Sequence, residues 1–112
     1  MNDIGIFVDC AAAYIEKRSG NVTVGELALH YGYSTSQLRR LFVKRMGISP
    51  REYISRCKME NARKLLTEEP ARSVEEIAGM LGMYNAAHFC RQFKRREGCS
   101  PGEYRISAKQ RG

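Results

Sequence analysis

The sequence predicts an all-α chain of seven helices, and three observations carry that expectation. Residues recur in register about fifty positions apart, helix-start signals come at regular intervals, and no segment alternates apolar and polar residues for long. Val24, Glu26, Leu27, Ala28 and Gly32 return fifty residues later as Val74, Glu76, Ile77, Ala78 and Gly82. Arg40, Phe42, Gly47, Ser49, Pro50, Glu52 and Tyr53 return fifty-one later as Arg91, Phe93, Gly98, Ser100, Pro101, Glu103 and Tyr104. One residue is therefore inserted in the second copy, between Gly82 and Phe89. A register that slips only at a turn marks two versions of one structural unit. Each copy alone is near the size where burial becomes marginal, so an element docking on both copies is expected to support them.

The first helix is expected over residues 3–18, with Phe7, Cys10, Ala11 and Tyr14 on one face and Gly20 just past its end. Thr23 with Glu26 has the spacing of a capping box, in which a hydroxyl accepts from the amide three residues on and that residue's side chain reaches back. It opens a helix at 24–31 that stops at Gly32. Ser34 with Gln37 opens 35–46, with Tyr33 and Leu38 bracketing the cap as a hydrophobic staple, and Gly47 ends it. Ser49 with Glu52 opens 50–66, and Pro50 takes the first helical position, where a missing amide hydrogen costs nothing. Tyr53, Ile54, Cys57, Ala62, Leu65 and Leu66 share its inner face, and Met59 reads as core filler. Glu69-Pro70 closes this central helix. Ser73 with Glu76 opens 74–81, closed by Gly82. Asn85 is the expected cap of 86–97, with Tyr84 and Phe89 as its staple and Gly98 at its end. Ser100 with Glu103, and Pro101, open 101–106.

The expected organisation is a first helix-turn-helix lobe at 1–49, a linker helix at 50–66, a second lobe at 67–106 and a disordered basic tail at 107–112. Two helices crossing at close range need a small residue midway along the first and a glycine at the turn. Ala28 with Gly32, and Ala78 with Gly82, meet both demands. In the second helix of the first copy, Leu38, Leu41 and Phe42 form the stripe to be buried. Ser36, Arg40 and Val43 then point away from it, with Arg39 and Lys44 on the flanks. In the second copy Phe89 and Phe93 are the buried pair. Ala87, Arg91 and Lys94 face outward, flanked by His88, Cys90 and Arg95.

Net charge is +7 with a pI near 9.5, and its placement is informative. Arg39, Arg40, Lys44, Arg45, Arg51, Arg56 and Lys58 stand against the single acid Glu52, and Arg91, Lys94, Arg95 and Arg96 against none. Glu26, Glu75 and Glu76 sit instead in opening turns, where the helix dipole favours them. Matching basic clusters at equivalent points of a repeat point to a polyanion partner rather than to a merely solvated face. The major groove of B-DNA admits a helix, and arginine pairs bidentately with guanine. The base-reading candidates are Ser36, Arg39 and Arg40 in the first copy, and Ala86, Ala87, His88, Cys90 and Arg91 in the second. The short ones among them let the helix backbone approach closely. Lys44, Arg45, Lys94, Arg95 and Arg96 are candidates for phosphate contact, which positions without reading sequence.

Other classes fit poorly. Cys10, Cys57, Cys90 and Cys99 show no paired spacing, so neither a metal site nor a redox motif is expected; they read as reduced, mostly buried thiols. No cofactor is implied. His30 and His88 are far apart, and no glycine-rich phosphate loop or nucleophile–histidine–carboxylate set suggests an enzyme. No apolar run approaches the roughly 18 residues of a membrane span, and no secretory leader is evident, so the cytoplasm is expected. Cys90, at the edge of the outward face, admits a thiol-sensor reading beside the plainer one of an incidental small side chain.

The run "ISRCKMENARKLL" followed by "SVEEIAGMLGMYNAAHFCRQFKRREGCSPGEYR" closely resembles the DNA-binding domain of AraC/XylS-type bacterial transcription regulators, and "VTVGELALHYGYSTSQLRRLFVKRMGISPREYI" resembles that family's first helix-turn-helix. The likeness covers about residues 3–106. It implies a homeodomain-like fold of seven helices, with two lobes joined by a long helix and one recognition helix from each lobe in successive major grooves. It also implies contact with RNA polymerase and a regulatory, usually activating, role. The chain departs from some relatives in having Ser36, Ala86 and Ala87 where they carry tryptophan or glutamine. Its length matches the family's small stand-alone activators, monomers on asymmetric sites with no small-molecule effector site, or an excised domain of a larger regulator. A module that binds RNA polymerase or another regulator, with little DNA specificity of its own, is the alternative function.

Overall fold

The computed structural model describes residues 3–83 and 85–111. Among the described residues run seven helices: α1 (Asp3–Lys17), α2 (Val24–Tyr31), α3 (Thr35–Met46), α4 (Pro50–Glu68), α5 (Val74–Met80), α6 (Ala86–Glu97) and α7 (Pro101–Arg111). No described residue lies in a strand. The helices start where side chains can satisfy free amides. The hydroxyls of Thr23, Ser34, Ser49, Ser73 and Ser100 each accept from the amide three residues on, at 3.0–3.2 Å. At Ser34, Ser73 and Ser100 the side chain at the third position returns the bond to the cap amide. Asn85 caps α6, accepting from the His88 amide at 2.6 Å. The expected staple partner Tyr84 lies outside the described residues.

Two cores organise these helices. Val8, Ala11 and Ile15 of α1 meet Leu27 and Ala28 of α2, Leu38 and Phe42 of α3, and Ile54 of α4. The other core joins Met59, Ala62 and Leu66 of α4 to Ile77, Ala78, Leu81, Phe89 and Phe93. The chain accordingly divides into compact units Met1–Lys58 and Met59–Gly112, and the division falls inside α4. α4 supplies Ile54 to the first core and Met59, Ala62 and Leu66 to the second. That supplies the supporting element that copies of marginal size require. None of the helices is long and apolar enough to cross a membrane.

Three expectations need correction. The inner face of α1 is Val8, Ala11, Ala12 and Ile15, whereas Cys10 is exposed and Phe7 and Tyr14 are half-buried. The aromatic rings lie over the seam between helices instead of within the core. Phe7 stacks on Tyr33 with centroids 4.4 Å apart, and Tyr14 lies 5.0 Å from His30. The thiols are not mostly buried, since Cys57, Cys90 and Cys99 are only partly covered. Residues 107–111, expected as a disordered tail, continue α7. Nothing after Tyr104 breaks a helix, and Ala108, Lys109, Gln110 and Arg111 favour one. Arg105 also ties α7 to α4, donating from Nε to the Leu66 carbonyl at 3.0 Å and from Nη2 to that of Glu69 at 3.2 Å.

Gly20 is the tightest backbone point in the first unit. Its φ is +81°, and a Cβ there would lie 2.7 Å from Lys58 Cγ, 2.8 Å from the Ile54 carbonyl oxygen and 2.8 Å from the Lys58 amide nitrogen. Gly32 has a similar φ of +75° but open space around it. Gly32→Ala should therefore cost about 1–2 kcal/mol from the left-handed backbone alone. Gly20→Ala adds a collision with the α4 backbone and should cost at least about 2 kcal/mol more. Urea midpoints of the two variants check the order; equal losses would disprove the contact between residue 20 and α4.

The caps also set an acid response. The Glu76 carboxyl is held below its ordinary 4.5, first by its bond with the Ser73 backbone amide, then by the Ser73 hydroxyl, with Arg72 adding attraction. A carboxyl whose folded value is depressed contributes stability above its unfolded value and loses it as pH falls through the folded one. Glu76→Gln keeps the cap geometry and removes the titration. Its melting temperature should fall less than that of the wild type as pH drops below about 4.5, and parallel curves would show that this cap has no part in acid sensitivity.

Candidate nucleic-acid interface

In each unit the two-helix turn closes on an alanine carbonyl. The Tyr33 amide donates to Ala28 O at 2.9 Å, and the Met83 amide donates to Ala78 O at 3.0 Å. Ala28 and Ala78 are both buried, which allows the second helix to cross close by. The turn is the same in both copies as far as Met83. The extra residue of the second copy therefore lies between Met83 and the cap Asn85, just before α6.

The roll of each second helix follows from its buried stripe. Leu38 and Phe42 of α3 are wholly buried, with Leu41 partly covered, and Phe42 meets the Tyr53 ring edge-on at 5.6 Å. Phe89 and Phe93 of α6 are wholly buried, and Phe93 meets Tyr104 edge-on at 5.5 Å. At about 100° per residue, this turns Ser36, Arg39, Arg40, Val43 and Lys44 outward on α3. On α6 it turns out Ala87, His88, Arg91, Lys94 and Arg95, all exposed. Ala86 and Cys90 are partly covered at the rim of that face, and Arg96 is exposed. Arg40 and Arg91 stand two residues before Phe42 and Phe93 respectively, the same place on both helices.

The cations are not equally available. Arg45 donates from Nη2 and Nε to the two carboxylate oxygens of Asp9, at 3.0 and 3.3 Å. That pair raises the Arg45 pKa through the hydrogen bond and the attraction of Asp9. It ties α3 to α1, so Arg45 is better placed to hold the recognition helix than to seek a new anion. Arg63 of α4 meets Glu97 at 2.8 Å and holds the far end of α6. Arg39, Arg40, Lys44, Arg91, Lys94 and Arg95 enter no ion pair among the described residues. Glu103 is held below its ordinary range mainly by its bonds with Ser100, with a smaller contribution from Lys94.

Two depressions mark the outer surface of the first unit. Ser36, Arg39, Arg40 and Val43 line an open groove along α3. Val24, Thr35, Ser36, Arg39, Ser49, Pro50 and Arg51 line a more enclosed cavity of about 360 Å³. Thr35, Ser49 and Arg51 were not among the candidates drawn from sequence. Arg51 escaped because it opens the central helix, which the sequence reading treated as a connector. The available signal was its repeat partner, since a charged residue here stands opposite Gly102.

A model described as a helix-turn-helix domain matches residues 27–107. The C-terminal domain of AraT, a response regulator from Geobacillus stearothermophilus, superposes with a TM-score of 0.81 at 30% identity, covering 90% of this chain and 84% of that one. The chain belongs to the AraC-type helix-turn-helix family. The DNA-binding domain of AdpA, a global transcriptional factor solved with a target DNA, superposes with a TM-score of 0.84 at 25% identity, over 93% of this chain and 94% of that one. YtdP of Bacillus subtilis, an uncharacterized HTH-type transcriptional regulator, is 38% identical over 84 residues, covering 75% of this chain and 11% of its own length. The chain spans from 11% to 38% of the length of the most similar curated relatives.

Proposed function

We propose that this AraC-type chain is a sequence-specific double-stranded DNA-binding transcription regulator that presents α3 and α6 to two successive major grooves. The observation that carries this reading is the equivalence of Arg40 and Arg91. Both are exposed and enter no ion pair among the described residues, and each is set by a buried phenylalanine two residues on. A guanidinium displayed in that way suits the O6 and N7 acceptors of guanine in the major groove. Family membership, and the likeness to a domain solved on its target DNA, support the same conclusion.

Ser36 and Val43 flank Arg40, while Ala86, Ala87, His88 and Cys90 flank Arg91. Ser36 and the alanines let the helix backbones come close to the base edges, and an alanine suits a thymine methyl. Lys44, Lys94, Arg95 and Arg96 serve phosphates, with Arg45 mainly bracing α3. The two helices carry different outward residues, so the target is asymmetric and one copy of the chain serves it. Half-sites about 34–36 Å apart correspond to one turn of the duplex.

Selection of bound duplexes from a random pool should return two unlike blocks separated by about one helical turn. Arg40→Ala and Arg91→Ala should each cost about 1–3 kcal/mol on the selected site and relax preference at one base pair. Lys94→Ala should weaken binding to all sequences alike and flatten the salt dependence. Binding without any enriched sequence and with little salt dependence would instead favour a module whose partner is a protein.

A further inference from the structure

The residues lining the first unit's cavity change in chemistry between the two copies. Aligning the repeat places Val74, Ala86, Ala87, Cys90, Ser100, Pro101 and Gly102 opposite Val24, Thr35, Ser36, Arg39, Ser49, Pro50 and Arg51. The residues that build the walls are kept: the valine, the capping serine and the proline at the helix start. The residues that give the walls chemistry are all replaced. Two hydroxyls become methyl groups, one guanidinium becomes a thiol, and the other guanidinium is deleted.

We infer that the first unit's cavity is a phosphodiester-binding site that its counterpart lacks, with Arg39 and Arg51 clamping one backbone phosphate of the bound duplex. Several features agree. The cavity of about 360 Å³ admits a phosphate group with its flanking sugar oxygens, and no acidic residue lines it. Neither Arg39 nor Arg51 enters an ion pair among the described residues, and both are exposed and line the cavity. Thr35 and Ser36 add hydroxyl donors at the rim, suited to the remaining phosphate oxygens. Guanidinium groups bind phosphate through charge-assisted, frequently bidentate bonds. Arg39 thereby moves from the base-reading set to the backbone, leaving Ser36, Arg40 and Val43 to face the bases. The first unit thus gains a phosphate clamp beside its base-facing residues that the second unit lacks.

This inference rests on the DNA-binding reading above, and the experiment separates the two. Dissociation constants of the full chain are measured on a selected duplex and on a random one across a range of salt. Arg51→Ala and Arg39→Ala should each weaken both duplexes by the same factor, roughly tenfold. Each should leave the base preference unchanged and lower the salt slope by about one. Gly102→Arg combined with Cys90→Arg, which restores both guanidinium groups in the second unit, should tighten both duplexes and steepen the slope. Melting curves confirm that each variant is folded. Unchanged slopes in the two alanine variants, or a loss confined to the selected duplex, overturn the phosphate site while leaving DNA binding intact. A wild-type chain that binds neither duplex overturns both.

Discussion

Everything on the outer surface depends on where two phenylalanine side chains go. Phe42 and Phe93 are wholly buried, and each locks the rotation of its helix about its own axis. A helix that must bury one stripe has no remaining choice about what it shows on the other side. The outward set is therefore a geometric consequence of packing, two residues upstream in each case. Buried Ala28 and Ala78 complete the constraint by letting the crossing helix come near enough for the aromatic rings to be covered.

The ion pairs act at the ends of these helices rather than at the crossing. Arg45 with Asp9, and Arg63 with Glu97, secure the C-terminal turns of α3 and α6 to α1 and α4. The first pair is half exposed on both sides, so its contribution to stability is small and screened by salt. What such pairs offer is orientation: the exits of α3 and α6 are held, while Arg39, Arg40, Lys44, Arg91, Lys94 and Arg95 enter no ion pair among the described residues. The chain thus separates cations that brace from cations that remain available, although both kinds lie within one basic run of sequence.

Local chemistry was legible in the sequence, and long-range chemistry was not. Hydroxyl caps, positive-φ glycines and the buried stripes of α3 and α6 depend on residues within a turn or two of each other, and they were read correctly. The inner face of α1 is rotated from the expected one: Val8, Ala11, Ala12 and Ile15 are buried, whereas Cys10 is exposed and Phe7 and Tyr14 are only partly covered. Phe7 and Tyr14 pack at the edge of that core, against Tyr31, Tyr33 and His30. The length of α7 depends on Arg105 reaching carbonyls of α4 36 and 39 residues away, which no periodicity reveals. The same holds for Asp9 with Arg45, 36 residues apart. The base-reading candidates were placed on the outward faces or their rims, whereas the cavity around Arg51 needed three helix starts brought together in space.

The repeat finally shows how such a chain can change its target. Comparing the copies sorts positions into those that agree and those that differ between them. Caps, turn glycines and buried aromatics belong to the first kind; Thr35, Ser36, Arg39 and Arg51 belong to the second. Because Thr35, Ser36, Arg39 and Arg51 are exposed, changing them disturbs the buried core little. A duplicated scaffold of this type gives evolution a fixed frame with two independently rewritable faces.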